Sequence, residues 1–411
     1  MNALSLLDAA ATGKVVVFGS LPPDNTDLDL LVRPADHAAL QAALADAGFV
    51  NNGGKLWAHL PTKQAVELVP NRLPESLFDA AIPLDGCTNV CRPAPQHALL
   101  FLARRHARDG DRRQARIDAA VAEDPAAWDK AAADAPQWKA AAALDLLRRS
   151  KPATATERAA ALAEEMGTAK AWRTIVGPLR SKGAVVSVSG VDGSGKTTQA
   201  TELVASLNAL GIDAVTVWTR LSFNERLWKI GRAGKRVLRV VARRKKPVPS
   251  TAPPADVDPS RLSDDVRRLR YESKLLTFTW STMVAVENGL AHRRLARAHL
   301  RAGRVVVCDR YILDSAVHLR YRYGESRGYR FQRWVIKTLS PSTAAAFYLE
   351  VRPETAVARK QDQYDVGQLE RQFRLYREEC ARLGVPILDG ERPREDLSAE
   401  ILAAAWRAIG K

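Results

Sequence analysis

Cysteine is scarce in this sequence of 411 residues, which contains only four. Secreted domains that depend on disulfide bonds contain many more cysteines for their length, so a disulfide-rich secreted scaffold is excluded. Cys87 and Cys91 have three residues between them, but no second cysteine pair and no neighbouring H-x-x-x-H accompanies them, which argues against zinc. Scattered thiols are typical of a reducing compartment, and we expect a cytoplasmic protein.

Long apolar runs are also missing. No uninterrupted stretch reaches the roughly 18 residues of a membrane-spanning helix. The first residues lack a basic segment followed by an apolar one, so we expect no signal peptide. Hydrophobic residues make up 46% and charged residues 26%, as in soluble globular proteins, and the length predicts two or three domains.

Positive and negative charges balance in the first part of the chain, whereas positive charges predominate in the second part. Residues 1–180 contain 21 basic and 21 acidic residues, so the whole net charge of +16 belongs to residues 181–411. A basic half indicates an anionic partner, either a phosphorylated substrate, a nucleic acid or an anionic membrane. We find no nucleic-acid-reading module and few interleaved aromatic residues, and therefore do not expect a nucleic-acid partner.

Strand and helix patterns alternate along the chain, which predicts an α/β protein. The predicted strands are 14–18, 28–32, 65–69, 184–189, 214–218, 305–308, 344–351 and 385–388. The predicted helices of the first half are 35–47, 94–122 and 126–172. In the second half the alternation predicts a parallel sheet with helices on both faces.

A glycine-rich turn follows the fourth predicted strand and precedes a helical pattern. Its sequence, GVDGSGKT at 190–197, matches the phosphate-binding pattern G-x-x-x-x-G-K-[ST]. Glycines let backbone N–H groups approach phosphate oxygens, and the helix N-terminus adds partial positive charge. We expect Lys196 to reach the β- and γ-phosphates of ATP and Thr197 to hold Mg²⁺. The other predicted ATP-binding residues are Gly190, Gly193, Ser194, Gly195 and Thr198.

The turn and the segments after it resemble the thymidylate kinase family of P-loop kinases. SGVDGSGKTTQATELVASL resembles the opening of that family, VVVCDRYILDSA its Asp-Arg-aromatic signature, and FYLEVRPETAVARK and LERQFRLYREE the segments around its lid. The resemblance covers about 183–411 and is interrupted near 221–270. It implies a P-loop NTPase-type sheet, a homodimer, and transfer of the γ-phosphoryl group of Mg·ATP to a nucleoside monophosphate, thymidylate by default, or to a related phosphorylated or sugar acceptor.

The residues at 309 and 310 would carry the acceptor side of this chemistry. Asp309 ends a hydrophobic strand, and the carboxyl edge of a parallel sheet is where ligands bind. A carboxylate there could bind Mg²⁺ through water or orient the acceptor, and the planar fork of Arg310 suits an acceptor phosphate. The alternative is a structural salt bridge between the two residues.

Further contacts are implied by the resemblance alone. Asp192, Arg220 and Tyr311 would contact the acceptor, and Arg359 or Lys360 would stabilise the transferred phosphoryl group from the lid. The lid charges could equally belong to a solvated helix face. The chain departs from the family at RLSF (220–223), where Arg-Glu-Pro-Gly is usual, and near 287, where arginine is usual. These departures leave the acceptor open.

A second group of residues, in about 10–125, resembles the nucleotidyltransferase fold with its helical tail. The resemblance rests on Gly19-Ser20, on Asp27-Leu28-Asp29 and on Glu67. Asp27 and Asp29 are two residues apart on a predicted strand and therefore share a face. With Glu67 they could hold two Mg²⁺ ions for nucleotidyl transfer, while Gly19-Ser20 would hold the nucleotide phosphates. Alternatively, the domain keeps only the fold.

These observations predict three parts. They are a nucleotidyltransferase-like domain at 1–150, a helical linker at 151–182 and a thymidylate kinase-like domain at 183–411, with an insertion at about 221–270. One alternative makes the first domain the main enzyme, supplied with substrate by the second.

The insertion contains a strongly basic segment. Residues 231–246 include eight basic residues and no acidic one. Residues 223–246 could lie on an anionic membrane, bind an acidic acceptor or form a solvated helix. A further alternative is therefore a nucleotide-dependent scaffold, peripheral at the inner membrane surface.

Overall fold

The computed structural model describes residues 3–18, 27–149, 152–171, 183–218, 274–325, 328–359 and 366–410. The predictions made for Gly19, Ser20, Arg220, Lys360 and the segment 223–246 lie outside these residues. The described residues form an α/β structure with two sheets, one mixed and one parallel.

The first sheet combines parallel and antiparallel strands. Its seven strands are β1 (Val15–Val17), β2 (Asp27–Val32), β3 (Val50–Asn51), β4 (Leu56–His59), β5 (Gln64–Pro70), β6 (Ile82–Pro83) and β7 (Val90–Arg92). Their order is β3-β4-β5-β2-β1-β7-β6, with β2 parallel to β5 and antiparallel to β1. The predicted strands 14–18, 28–32 and 65–69 correspond to β1, β2 and β5. The other four strands were not predicted, since two to four residues are too few to show a period.

Among the described residues, eight helices accompany the first sheet. They are α1 (Ala3–Ala10), α2 (Pro34–Asp46), α3 (Ser76–Asp79), α4 (Pro95–Asp109), α5 (Gln114–Glu123), α6 (Ala127–Asp134), α7 (Ala141–Arg148) and α8 (Ala155–Met166). The segments predicted as helical, 94–122 and 126–172, are divided into shorter helices, α4 and α5 in the first and α6 to α8 in the described part of the second. Gly110, with a φ of +83°, ends α4 in the left-handed conformation. Pro136 and Pro152 fall between the later helices, because proline removes a helical N–H donor.

The two faces of the first sheet are covered by different helices. Leu28 and Leu30 of β2 pack with α1 and α2, whereas Leu31 packs with α4 and the helices that follow it. Successive strand residues point to opposite faces, so Asp29 shares the face of Leu31. The alternation therefore directs one carboxylate of the first unit toward the side of α4.

The second sheet is entirely parallel, as the alternating pattern predicted. Its strands are β8 (Val185–Gly190), β9 (Ala214–Trp218), β10 (Val305–Asp309), β11 (Thr343–Glu350) and β12 (Ile387–Asp389), in the order β12-β11-β8-β10-β9. The described helices around it are α9 (Lys196–Ala209), α10 (Lys274–Arg301), α11 (Ile312–Tyr323), α12 (Arg330–Leu339), α13 (Pro353–Arg359), α14 (Val366–Leu383) and α15 (Arg394–Ile409). Within the described residues, no helix has the length and hydropathy to cross a bilayer.

The order of the second sheet determines where a ligand can bind. After β8 the chain moves to β9 at one edge, and after β10 it moves to β11 on the opposite side of β8. α9 and α15 cover one face, while α10, α11 and α14 cover the other. A crevice opens at the carboxyl ends of strands whose connections leave in opposite directions, here β8 and β10.

The last helix connects the two units. Trp406 of α15 is fully buried, and its Nε1 donates a hydrogen bond of 2.8 Å to the Val50 carbonyl of β3. Ala58 of β4 and Ala65 of β5 belong to the same apolar cluster as Trp406. The indole therefore belongs both to the core of the second unit and to the edge of the first sheet.

We expect Trp406→Ala to lower the free energy of unfolding by about 3–5 kcal/mol, because it leaves a large cavity and an unpaired carbonyl. Urea denaturation followed by circular dichroism measures the change. Trp218→Ala is the matched control, since Trp218 is 58% exposed and its loss should change stability by at most about 0.5 kcal/mol. Equal urea midpoints for the two variants would contradict the conclusion that Trp406 belongs to the core that joins the two units.

Candidate functional site

The glycine-rich turn at 190–197 lies between the end of β8 and the start of α9. Gly193 and Gly195 have φ values of +88° and +86°, which favour glycine. A Cβ atom on Gly193 would also lie 2.6 Å from the Ala356 carbonyl oxygen. The first backbone N–H groups of α9 have no partner within the helix and point toward the turn. The turn can therefore hold an anion by its backbone.

Two cations converge on one carboxylate beside this turn. Lys196 is 5% exposed, and its Nζ donates to the Val191 carbonyl at 3.1 Å and to Asp192 Oδ1 at 3.0 Å. Arg310 Nη2 donates to the same Asp192 oxygen. Lys196 follows β8 and Arg310 follows β10, so the fold brings together two residues that the sequence separates by more than a hundred positions.

A hydroxyl and a carboxylate meet next to these cations. The Thr197 hydroxyl donates to Asp309 Oδ2 at 2.5 Å. Asp309 is 2% exposed, and its second oxygen, Oδ1, has no hydrogen-bond partner among the described residues. The same holds for the buried hydroxyl of Ser194. Buried polar atoms of this kind require a donor or a cation, because desolvation without a partner is costly.

The main chain is strained at Arg310. Its φ of +75° lies in the left-handed region, which a residue with a Cβ atom seldom adopts. The backbone N–H of Arg310 donates to the Val188 carbonyl at 3.2 Å and keeps the residue beside β8. Burial disfavours the charge of the guanidinium, but the nearby carboxylates, Asp314 foremost, outweigh it and raise the pKa of Arg310. Arg310 is thus held charged and aimed at the turn.

Asp314 supports this arrangement, and the sequence reasoning missed it. Its two oxygens accept hydrogen bonds from the Ser189 hydroxyl at 2.6 Å, the Tyr311 N–H at 2.9 Å and the Tyr376 hydroxyl at 2.8 Å. The carboxylate raises the pKa of Tyr376, together with the burial that is the main cause. The only local signal was an acidic residue three positions into α11, where a capping carboxylate is common.

The remaining predicted residues of this site lie in different surroundings. Tyr311 is 1% exposed, donates to the Pro341 carbonyl at 2.9 Å and has its ring 4.3 Å from that of His292, so it packs in the interior. Thr198 is exposed on the first turn of α9. Arg359 is exposed at the end of α13, and its Nη1 lies 3.4 Å from the Gly193 carbonyl oxygen. Only Arg359 of these three touches the turn.

The acidic residues of the first unit also come together. Asp29 of β2 and Glu67 of β5 are register partners in parallel strands, so their side chains lie side by side on one face. Both are half-buried. The side chain of Asp27 lies outside the described part, and the described residues contain no converging group of three or more histidine, cysteine or acidic side chains.

A cavity of about 720 Å³ opens on the same face of the first sheet. Leu31 and Val69 contribute to its wall. Each lies two residues beyond a carboxylate, Asp29 or Glu67 respectively, which places the acids about 7 Å away along the strands. Phe18 and Phe101 add aromatic surface, with ring centroids 6.2 Å apart.

Basic side chains predominate among the charged residues of the cavity wall. Its charged residues are Lys55, Arg72, Arg104, Arg105, Arg108, Arg116, Asp109 and Glu165. Burial, and next the adjacent arginines Arg113 and Arg105, lower the pKa of Arg116. A cavity that combines crowded cations with an aromatic wall suits an organic anion. The sequence reasoning found few basic residues here; the spacing RRHAR at 104–108, which places three arginines along α4, was the available signal.

Comparisons with known proteins leave the family open. No model of a protein family matches the chain, and no curated protein matches it.

We expect acidification from pH 6.5 to pH 4 to destabilise the second unit through His292. This side chain is 1% exposed, with Nδ1 2.9 Å from the Ser340 hydroxyl, and burial lowers its pKa to about 4. Below pH 6.5 this histidine takes up a proton in the unfolded chain, whereas the buried imidazole of the folded protein stays neutral until the pH approaches 4. The free energy of unfolding therefore falls by up to about 3 kcal/mol as the pH falls toward 4.

Urea unfolding at pH 7.0 and pH 4.5 measures this loss. His292→Gln should show a smaller difference between the two pH values than the wild type. His59→Gln, at a half-buried site beside Thr62, is the control and should match the wild type. The same pH dependence in all three proteins would exclude His292 as the cause.

Proposed function

We propose that the second unit is a Mg²⁺- and ATP-dependent phosphotransferase of the thymidylate kinase type. The observation that carries the proposal is the convergence of Lys196 and Arg310 on one oxygen of Asp192. A carboxylate oxygen between two cations stands in for a phosphoryl oxygen of a substrate. The glycine-rich turn of a P-loop NTPase-type sheet would hold the donor, and Arg310 would hold the acceptor.

ATP would bind with its phosphates on the backbone N–H groups of the turn and Lys196 on their oxygens. The orphaned Oδ1 of buried Asp309 and the adjacent Thr197 hydroxyl fit a hard cation with oxygen ligands. Bound there, Mg²⁺ would offset the negative charge of the phosphates. To admit substrate, Asp192 must release Lys196 and Arg310.

Arg310 would take a phosphate of the acceptor in its planar fork. Its backbone is held before substrate arrives, because its N–H donates to the Val188 carbonyl and the next N–H, that of Tyr311, donates to Asp314. Arg359 approaches the turn from α13 and would stabilise the charge on the transferred group. Catalysis would depend on positioning and electrostatics, with little covalent chemistry from the protein.

The acceptor class follows from the charge of this site. A nucleoside monophosphate offers the dianion that Arg310 suits, and thymidylate is the first to test. Glu287, where the family has an arginine, is half-buried and forms an ion pair of 3.3 Å with Arg294. A carboxylate there cannot replace a phosphate-binding guanidinium, so sugars and sugar phosphates belong in the same panel.

We expect ADP release from Mg·ATP to rise with one member of a panel of nucleoside monophosphates, sugars and sugar phosphates. Lys196→Ala and Arg310→Ala should each lower kcat/KM by about 10²–10³-fold, because each removes a charged donor to phosphoryl oxygens. The control is Lys130→Ala, in the first unit, whose ion pair with Asp124 is at the surface. ATP binding that no acceptor turns into ADP would favour a nucleotide-dependent scaffold.

A second activity, nucleotidyl transfer by the first unit, is favoured by the arginine-rich cavity. The neighbouring pair Asp29 and Glu67 would hold Mg²⁺, with Asp27 as the third ligand expected from the sequence. The basic wall would receive a nucleotide or its phosphorylated acceptor, and Phe18 or Phe101 would face the organic part. The second unit would then supply a phosphorylated substrate to the first.

We expect the double variant Asp29→Asn/Glu67→Gln to abolish pyrophosphate release from nucleoside triphosphates, and Arg104→Ala/Arg108→Ala to weaken nucleotide binding at least tenfold. Displacement of a fluorescent nucleotide and a pyrophosphate assay measure the two effects. The exposed Asp85→Asn is the matched control. Pyrophosphate release that survives loss of both carboxylates would overturn this activity while leaving the kinase proposal intact.

A further inference from the structure

Large apolar side chains are exposed together on α10 and α12 of the second unit. Leu275 is 74% exposed, Phe278 48%, Phe331 46% and Trp334 59%. The three rings stack in a row, with centroids 5.7 Å apart between Phe278 and Phe331 and 5.7 Å apart between Phe331 and Trp334. We name these four residues the aromatic row. Contiguous apolar patches of this kind mark interaction surfaces.

Helical spacing produces the row. Phe331 and Trp334 are three residues apart on α12, and Leu275 and Phe278 are three apart on α10, so each pair lies on one helix face. The opposite face of α12 is already occupied by the protein core through Gln332, Val335 and Ile336. Within the described residues, no further core lies against this side of the two helices, so the aromatic row faces outward.

The rim of the row is positively charged. Lys274 on α10 and Arg330 and Lys337 on α12 are exposed. α12 contains no acidic residue, and neither do the first three turns of α10. A second copy of the chain on this face, related by a two-fold axis, would bring like charges together. A negatively charged surface complements the rim instead.

We propose that the aromatic row and its cationic rim form a docking surface for an anionic lipid bilayer. Tryptophan and phenylalanine insert at the level of the lipid headgroups, and basic side chains around them interact with the lipid phosphates. The charge of the chain supports this occupant, because the whole excess of +16 lies in residues 181–411. The surface is independent of the phosphotransferase proposal, since none of its residues touches the glycine-rich turn.

Co-sedimentation of the full-length chain with vesicles tests the surface. We expect binding to vesicles of phosphatidylcholine with phosphatidylglycerol, weaker binding in high salt, and little binding to phosphatidylcholine alone. Phe331→Ser/Trp334→Ser should weaken binding at least tenfold, and Arg330→Glu/Lys337→Glu should weaken it and reduce its salt dependence. Trp218→Ser removes an equally exposed indole elsewhere and should bind as the wild type does.

Three results would overturn the proposal. One is absence of binding to the anionic vesicles. Another is unchanged binding by Phe331→Ser/Trp334→Ser with a circular dichroism spectrum like that of the wild type. The third is a wild-type dimer in sedimentation velocity that the same variant converts to a monomer, with no vesicle binding, which would assign the surface to a second copy.

Discussion

A single carboxylate oxygen holds the site of the second unit together. Lys196 and Arg310 come from the ends of different strands, and without an anion between them two largely buried cations would repel each other. Asp192 supplies that anion in the protein alone. The site is therefore organised around an anion position before any ligand is present. A ligand with phosphoryl oxygens would compete with Asp192 for cations that are already in place, which limits the reorganisation that binding requires.

The backbone supports this position from both sides. Gly193 and Gly195 allow the turn to curl over the start of α9, and Arg310 holds a strained conformation because its N–H is tied to Val188. Asp314 anchors the start of α11 by three hydrogen bonds. Strain at such a residue persists only where the surroundings over-determine it. At Arg310 those surroundings are the Val188 carbonyl, which accepts from its N–H, and the adjacent Tyr311 N–H, which donates to Asp314.

The parts of this site that the sequence predicted were those with strong local signals. β8 and β10 are short, wholly buried apolar runs, and the turn pattern constrains residue types at fixed spacing. Asp314 escaped prediction because its partners, Ser189 and Tyr376, lie 125 and 62 positions away along the chain. Tyr311 was expected at the acceptor, but its ring packs against His292. Whether an aromatic side chain points to a cleft or to the core depends on the helices around it.

In the first unit, prediction from the sequence failed for a different reason. The basic residues of the cavity wall come from separate elements, namely Lys55 before β4, Arg72 after β5 and the arginines of α4 and α5, so no local pattern groups them. The packing of α4 and α5 beside the sheet brings these basic residues together around one cavity. β3 and β6 have two residues each, too few for any periodicity. The breaks within the predicted helical segments depend on single residues such as Gly110, which alanine-rich composition does not locate.

The position of Trp406 in the chain has a consequence for biosynthesis. The indole that covers β3 and β4 of the first unit follows Val50 by 356 positions along the chain, so it is synthesised long after the strands that it covers. Until then the first sheet can complete its own cores but keeps an uncovered apolar edge, the kind of surface that recruits chaperones or promotes aggregation. Loss of α15 would thus leave an apolar edge exposed in the unit that is synthesised before it.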